Sequence, residues 1–173
     1  IKNLVARPEQ YGVKLPVVEN RPYFVTVTTS RDIDVDLVVK LAGMTRAEFL
    51  ALNPSYTRPI ILGATHPQIL LPFKNAESFQ KALDGYGKPL ASWTAVTLSN
   101  RERVESLAAR LGVDSGVLRE VNGINRGMRV GAGSTVLVPR EQGRADDISP
   151  LIADNARLAL EPDRPDTKKV SIR

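Results

Sequence analysis

Side chains able to do acid, base or nucleophilic chemistry are sparse along this chain. It has no cysteine, and its single histidine, His66, has no second ligand at metal-binding spacing. General acid catalysis needs a buried carboxyl group with a raised pKa, yet the glutamates of the first 120 residues lie in charged, polar stretches. They are Glu9, Glu19, Glu48, Glu77, Glu102, Glu105 and Glu120. We therefore expect no catalytic residue, no metal site and no cofactor in this chain.

The net charge gives little indication of a partner. The chain has 173 residues, with 24 Lys+Arg against 19 Asp+Glu and a net charge of +5. No segment concentrates that charge into a basic arm or stripe, which disfavours a nucleic-acid partner. No apolar run approaches the ~18 residues of a membrane span, so we expect none in this chain.

An internal repeat organises the chain. A shift of 69 positions superposes residues 24–53 on residues 93–122 without a gap, which indicates duplication. Beyond this run the second copy is two residues shorter, and residues 69–72 then fall on residues 136–139. The identical pairs are Val27/Val96, Thr28/Thr97, Ser30/Ser99, Val35/Val104, Gly43/Gly112 and Asn53/Asn122.

Each copy predicts the same elements, a strand, two helices and a strand within about 50 residues. The first helix ends at Gly43 or Gly112, where a C-cap needs a left-handed residue. The second helix begins at Thr45, with Glu48 completing a capping box, or at Asp114. The patterns predict an α+β fold of two small β-α-α-β modules joined by a helical linker, with a polar C-terminal tail.

Changes in composition divide the chain into five parts. Residues 1–22 read as the end of an upstream domain and a linker, since the chain opens in mid-pattern without an initiator Met. This opening favours a fragment of a longer protein. The remaining parts are a module at 23–73, a helical linker at 74–91, a module at 92–140 and a polar, largely disordered tail at 141–173.

The second copy resembles the LysM module, a domain that binds peptidoglycan and chitin. Residues 96–99 and 104–112 stand where LysM has its first strand and first helix. Residues 118–123 look like the Leu-x-x-x-Asn-Gly that ends its second helix, and residues 131–139 look like its closing Pro-Gly-x-x-Leu-x-Ile-Pro. The first copy, at 23–73, is similar to a degenerate LysM module.

Residues 1–83 resemble the membrane-bound lytic murein transglycosylase D family just after its catalytic core. The string at 6–16, Ala-Arg-Pro-Glu-Gln-Tyr-Gly-Val-Lys-Leu-Pro, is similar to the stretch that closes the catalytic domain, and residues 22–24 and 50–54 also match. That family cleaves peptidoglycan with one glutamate of an upstream helical domain, a Glu-Ser motif that this chain does not show. The resemblance implies peptidoglycan glycan strands and a catalytic domain in cis as partners, in the periplasm of a Gram-negative envelope.

The resemblance also implies a site. LysM modules hold N-acetylglucosamine in a shallow groove between two loops, where backbone groups grip the acetamido groups. Carried over by position, the groove here is formed by residues 100–103 and 123–128, with Ile124 supplying apolar contact. The implied glycan-binding residues are Asn100, Arg101, Glu102, Arg103, Gly123, Ile124, Asn125, Arg126, Gly127 and Met128.

The first loop departs from the family. LysM usually has Gly-Asp-Thr there, whereas this chain has Arg-Glu-Arg at 101–103 and Asp-Ile-Asp at 32–34. Bulky charged residues narrow a groove that glycine would leave open to close backbone approach. The alternative is a docking scaffold for the catalytic domain that keeps the fold without binding glycan.

A further alternative is DNA binding. Residues 107–114 imitate the Ala-x-x-x-Gly core of a helix-turn-helix. The second helix of that pair is short and stops at Asn122-Gly123, strands flank the pair, and the charge is diffuse. These features favour the glycan-binding interpretation.

Overall fold

The computed structural model describes residues 1–16, 22–141 and 146–163 of the chain. Over these residues it is a mixed fold of short helices and antiparallel strand pairs. The helices are α1 (Lys2–Ala6), α2 (Val35–Ala42), α3 (Arg46–Leu52), α4 (Phe73–Asp84), α5 (Val104–Leu111), α6 (Ser115–Asn122) and α7 (Pro150–Asp154), and a 3-10 helix spans Pro8–Tyr11. The strands are β1 (Phe24–Thr28), β2 (Ile33–Asp34), β3 (Ile60–Ile61), β4 (Gln68–Pro72), β5 (Trp93–Thr97), β6 (Met128–Val130), β7 (Thr135–Pro139) and β8 (Leu160–Pro162).

The elements from β1 to α4 form a first unit. β1 pairs antiparallel with β4, from Phe24 opposite Pro72 to Thr28 opposite Gln68. A capping box starts α3, since Thr45 N donates to Glu48 at 2.7 Å and Glu48 N donates back to the Thr45 hydroxyl at 3.2 Å. The buried core between ladder and helices includes Ile33, Val35, Val38, Phe49, Ile61, Ile69 and Leu71.

The elements from β5 to β7 form a second unit. β5 pairs antiparallel with β7, from Trp93 opposite Pro139 to Thr97 opposite Thr135. The Asp114 side chain caps α6 by accepting from Val117 N at 3.0 Å. The buried core of this unit includes Leu98, Val104, Leu107, Leu118, Ile124, Val130, Val136 and Val138.

A buried asparagine ends the second helix of each unit. Asn53 donates from Nδ2 to the carbonyls of Phe49 and Leu70, at 3.0 and 2.8 Å. Asn122 makes the corresponding bonds to Leu118 and Leu137, at 2.9 and 2.8 Å. Because a buried amide must find partners for its polar atoms, these bonds fix each helix end against the closing strand.

Helix α4 belongs to the core of the first unit. Phe79 is fully buried in the cluster that α2 and α3 form, and the Asn75 side chain donates to the Ala42 carbonyl at 2.8 Å. Residues 74–91, expected as a helical linker, therefore also stabilise the unit before them.

A third apolar cluster joins the two units. It contains Ile60 of the first unit, Leu137 of the second, and Ala91 and Ile148 from the segments that follow them. Trp93 packs against it partly buried. The Trp93 ring therefore contributes to the junction between the units.

The C-terminal part differs from the expected polar, largely disordered tail. Residues 146–163 form α7 and β8, Ile148 is 5% exposed, and Leu158 and Leu160 pack on the core of the second unit. These apolar side chains supply the burial that the polar composition of 141–173 obscured. The rest of the expected tail, residues 142–145 and 164–173, lies outside the described residues. Across the parts of the chain that the structure describes, no helix combines the length and apolar character that crossing a membrane requires.

Candidate functional site: a loop surface on the second unit

The structure brings the two stretches of the implied groove side by side. Residues 100–103 connect β5 to α5, and residues 123–128 lead from α6 into β6. Glu102 and Val130 exchange two backbone hydrogen bonds, both 2.9 Å long, in an isolated antiparallel bridge. The first loop is thus tied directly to the strand that follows the second loop.

Arg119 on α6 holds the second loop in shape. Its Nη1 donates to the carbonyls of Asn125 and Met128 at 2.9 and 3.2 Å, and its Nη2 donates to Glu105 at 2.6 Å. The Arg119 side chain is only 14% exposed. The hydrogen bond from Arg119 also lowers the pKa of Glu105. Two backbone carbonyls of the implied groove are therefore engaged from within the unit.

The ten implied site residues differ in their exposure. Ile124 is 4% exposed and lies in the core of the second unit, so the expected ligand contact from its side chain is corrected to a packing role. Met128 is half-buried. The exposed members, which leave a polar surface, are Asn100, Arg101, Arg103, Gly123, Asn125, Arg126 and Gly127.

Glu102 is engaged by a neighbouring cation. Arg110 Nη2 donates to the Glu102 carboxylate at 2.9 Å, and this bond raises the pKa of the Arg110 guanidinium. This ion pair joins the first loop to α5.

The C-terminal segment lies along the outer edge of β6. We call residues 158–163 the closing segment. Its strand β8 pairs antiparallel with β6, with Arg129 opposite Glu161. On either side of the ladder, Gly131 N donates to the Ala159 carbonyl at 2.8 Å and Asp163 N donates to the Gly127 carbonyl at 2.7 Å. β6 is consequently paired on both edges.

Charged side chains join the closing segment to the first loop and to β6. Arg103 Nε lies 3.0 Å from Asp163 Oδ1. Arg101 Nη1 and Arg129 Nε lie 4.0 and 3.5 Å from Glu161 Oε2. The two arginines that interrupt the family's Gly-Asp-Thr pattern thus face acidic residues of the same chain.

The first loop of the first unit, at residues 32–34, also forms hydrogen bonds with another part of the chain. Asp34 accepts Ser92 N on both carboxylate oxygens, at 3.0 and 2.9 Å, and Asp34 N donates to the Leu90 carbonyl at 3.0 Å. The segment that follows the unit therefore lies against its first loop.

Asp32 of this loop is a buried acceptor. Its side chain accepts Gly63 N at 3.0 Å and Ile148 N at 2.6 Å, and the residue is 1% exposed. Burial raises the pKa of Asp32, and the nearby Asp147 adds to the rise, although both backbone hydrogen bonds oppose it. Asp32 thereby connects the first unit to the start of the C-terminal segment.

A cavity lies at the long loop of the first unit. Its volume is about 620 Å³, and Tyr56, Arg58, Thr65 and His66 line it. Tyr56 contacts the ring of Phe49, and its hydroxyl lies 2.9 Å from the His66 carbonyl and 2.6 Å from that of Gln68. Burial raises the pKa of Tyr56. These contacts show that Tyr56 braces the loop. Among the described residues no group of three or more His, Cys, Asp or Glu side chains could hold a metal ion.

Sequence reasoning missed three residues of this surface. Arg119 had no recognisable motif, because its acceptors are backbone carbonyls six and nine positions away. Glu161 and Asp163 were placed in a disordered tail. The apolar triplet at 158–160 is too short to give a periodic strand signal.

The comparisons with known proteins define the class of the first unit. Residues 23–88 match the family model described as the LysM-like domain of lytic transglycosylase MltD. The first unit is therefore a LysM-like domain, and α4 lies within the matched residues.

Two curated relatives that match most of the chain bear the name of the same enzyme. The chain is 23% identical over 150 residues to the membrane-bound lytic murein transglycosylase D of Escherichia coli strain K12, and equally to the protein of that name from Escherichia coli O6:H1 strain CFT073. Each match covers 80% of this chain and 33% of the relative, so the chain spans about a third of the length of these curated relatives. The resemblance of this chain to the lytic murein transglycosylase D family is confirmed, and the LysM-like match lies at residues 23–88.

Proposed function

We propose that this chain is a non-catalytic region of a lytic transglycosylase that holds the enzyme on peptidoglycan glycan strands. Its partners are then the glycan and the catalytic domain of the same protein, in the periplasm of a Gram-negative envelope. The observation that carries the proposal is the match of residues 23–88 to the LysM-like domain of MltD. The names of the relatives, both lytic murein transglycosylases, support it.

We further propose that the second unit is a LysM-like module of the same kind. Three correspondences between the units support this. The ladder registers agree, since Phe24 opposite Pro72 corresponds to Trp93 opposite Pro139. The side-chain hydrogen bonds of Asn53 and Asn122 agree. The pairing within the first loop agrees too, since Ile33 opposite Ile61 corresponds to Glu102 opposite Val130.

The binding surface in this proposal is the loop pair 100–103 and 123–128. Its exposed side chains are mostly polar, which suits an amide-bearing sugar gripped by backbone groups. Each contact would be weak by itself. Linkage to a catalytic domain converts weak binding into a high local concentration of enzyme at its polymer.

A pull-down on insoluble peptidoglycan with the whole chain tests the proposal. We expect the wild-type chain to be retained, and Arg126→Glu to lower retention because it places a bulky acid on the exposed second loop. Lys81→Glu on α4 makes the same charge change away from both loops and serves as the matched control. A wild-type chain that stays in the supernatant contradicts peptidoglycan binding.

A docking scaffold for the catalytic domain is the second candidate function. It is favoured because the first loop of each unit already contacts another part of this chain. Arg103 contacts Asp163 in one unit, and Asp34 contacts Ser92 in the other. Loops already engaged by the chain itself suit a module that packs on other protein. Co-migration with a separately produced catalytic domain, together with no retention on peptidoglycan, would support this candidate over the first.

DNA binding is tested by the same preparation. In a helix-turn-helix interpretation α6 would enter the major groove, yet Leu118 of α6 is buried and Arg119 is held by Glu105. We expect no salt-dependent shift of duplex DNA at micromolar protein. Such a shift, falling steeply with added salt, would favour the DNA-binding alternative.

A further inference from the structure

The closing segment lies beside the loops of the second unit that glycan would use under the proposed function. We propose that residues 158–163 act as an intramolecular competitor, so that glycan binds the second unit only when this segment leaves the edge of β6. The inference rests on the proposed function and concerns the regulation of its site.

Competition follows from the backbone groups that the segment engages. Asp163 N donates to the carbonyl of Gly127, which is one of the implied glycan contacts. Pro162 lies opposite Met128, another of those contacts. A sugar held through the Gly127 carbonyl needs a group that the closing segment already satisfies.

The charges of the second unit are complementary to those of the closing segment. Arg101, Arg103 and Arg129 face Glu161 and Asp163, so an acidic strand lies where three cations converge. Neutral glycan has no charge to exchange for these pairs. The three arginines therefore favour the state in which the closing segment is paired with β6 over the state in which a sugar is bound. The arginines of the first loop thus help to hold the closing segment in place.

The contacts that hold the closing segment against β6 are few. β8 has only three residues, and two of the three arginines that pair with the closing segment, Arg101 and Arg103, are 55% exposed, while Arg129 is 15% exposed. Exposed pairs contribute little in water and are screened by salt. When a binding-competent state is a minor one, the apparent Kd rises in inverse proportion to its population. Opening thus sets the affinity of the second unit.

A reversible crosslink tests the inference in one protein. Met128 and Pro162 are directly opposed in the ladder, and the chain has no cysteine of its own. Met128→Cys with Pro162→Cys places two thiols at a spacing that a disulfide spans. The same sample is closed when oxidised and free to open when reduced, so the substitutions themselves are controlled.

We expect the reduced form to bind a chitin oligosaccharide, with shifts of the Asn125, Arg126 and Gly127 amide signals in NMR spectra. The oxidised form is expected to show these shifts only at ligand concentrations at least about tenfold higher, as for a competent state that is rarely populated. Equal titrations of the two forms would overturn the inference. Retention of both forms on peptidoglycan would in that case leave the proposed function standing.

A charge variant provides the converse test. Glu161→Gln with Asp163→Asn removes the acidic partners while it keeps the strand, and we expect affinity to rise about three- to tenfold. Glu77→Gln with Asp154→Asn makes the same change of charge at exposed positions elsewhere and is expected to leave affinity unchanged. Unchanged affinity in the first double variant contradicts the inference, and absence of binding in every variant contradicts the proposed function as well.

Discussion

Asn122 and Leu137 exchange two hydrogen bonds inside the second unit. The Asn122 side chain accepts Leu137 N at 2.7 Å and donates to the Leu137 carbonyl at 2.8 Å. Leu137 lies in β7 and Asn122 ends α6, so one side-chain amide joins the last helix of this unit to its last strand. The same amide nitrogen also donates a hydrogen bond to the Leu118 carbonyl at the end of α6.

Asn122→Asp is expected to destabilise the chain strongly. The change keeps the shape of the side chain but replaces two donor hydrogens with a second acceptor, which leaves two buried carbonyls facing a carboxylate. The expected loss in the free energy of unfolding is about 2–4 kcal/mol, measured by chemical denaturation. Asn125→Asp, at an exposed neighbouring position, is the control. Equal stability of the two variants would contradict the buried role of Asn122.

Arg119→Lys is expected to loosen the second loop. Lysine cannot reproduce the planar fork that bonds Glu105 and the two loop carbonyls together. Amide hydrogen exchange at residues 125–128 is therefore expected to accelerate. The pKa of Glu105 is expected to rise toward its ordinary value, because the hydrogen bond from Arg119 is the main cause that lowers it. Arg126→Lys provides the control, and an unchanged Glu105 titration would exclude the proposed contact.

The buried Asp32 predicts a dependence of stability on pH. Its pKa is raised above the ordinary value of 3.8, so the folded chain keeps this proton at a pH where the unfolded chain has lost it. The contribution of Asp32 to the free energy of unfolding is then largest below the ordinary pKa, and it falls as pH rises through the raised value.

The comparison with Asp32→Asn isolates this contribution. The stability of the wild type relative to the variant is expected to decline as pH rises from acid conditions through the raised pKa. Asp36→Asn, at an exposed residue that pairs with Arg46, is the control for a general change of charge. A difference between wild type and Asp32→Asn that stays constant with pH would contradict a raised pKa at this site.

The two N-caps are expected to contribute similarly to stability. Thr45→Ala and Asp114→Ala each remove a side chain that accepts a backbone N–H in the first turn of its helix. Each is expected to lower the free energy of unfolding by about 1 kcal/mol. Thr45→Ser and Asp114→Asn retain an acceptor and are expected to restore most of the loss in the same thermal or chemical denaturation measurement.

Local signals in the sequence are sufficient to predict where the helices of the two units begin and end. Gly43 and Gly112 both adopt left-handed backbone conformations, with φ of 63° and 65°, and Thr45 and Glu48 form the predicted capping box. These features depend on neighbours within a few residues, which a single sequence displays directly. The 69-residue shift also places Asn53 and Asn122 at corresponding positions of the two copies.

Long-range partners could not be predicted in the same way. Arg103 meets Asp163 and Asp32 meets Ile148, across separations of 60 and 116 residues. No periodicity connects such residues, and their polar types are equally typical of a solvated surface. The charged first loop was therefore recognised as a departure from the family, while the acidic strand that accompanies it was not.

The junction cluster has a consequence for how the chain unfolds. The cluster buries Ile60 of the first unit, Leu137 of the second unit and Ile148 of the C-terminal segment against one another. Loss of either unit would expose the apolar surface that the other contributes. We therefore expect cooperativity between the units, seen as one calorimetric transition whose van't Hoff and calorimetric enthalpies agree. Two separate tethered modules would melt in two steps.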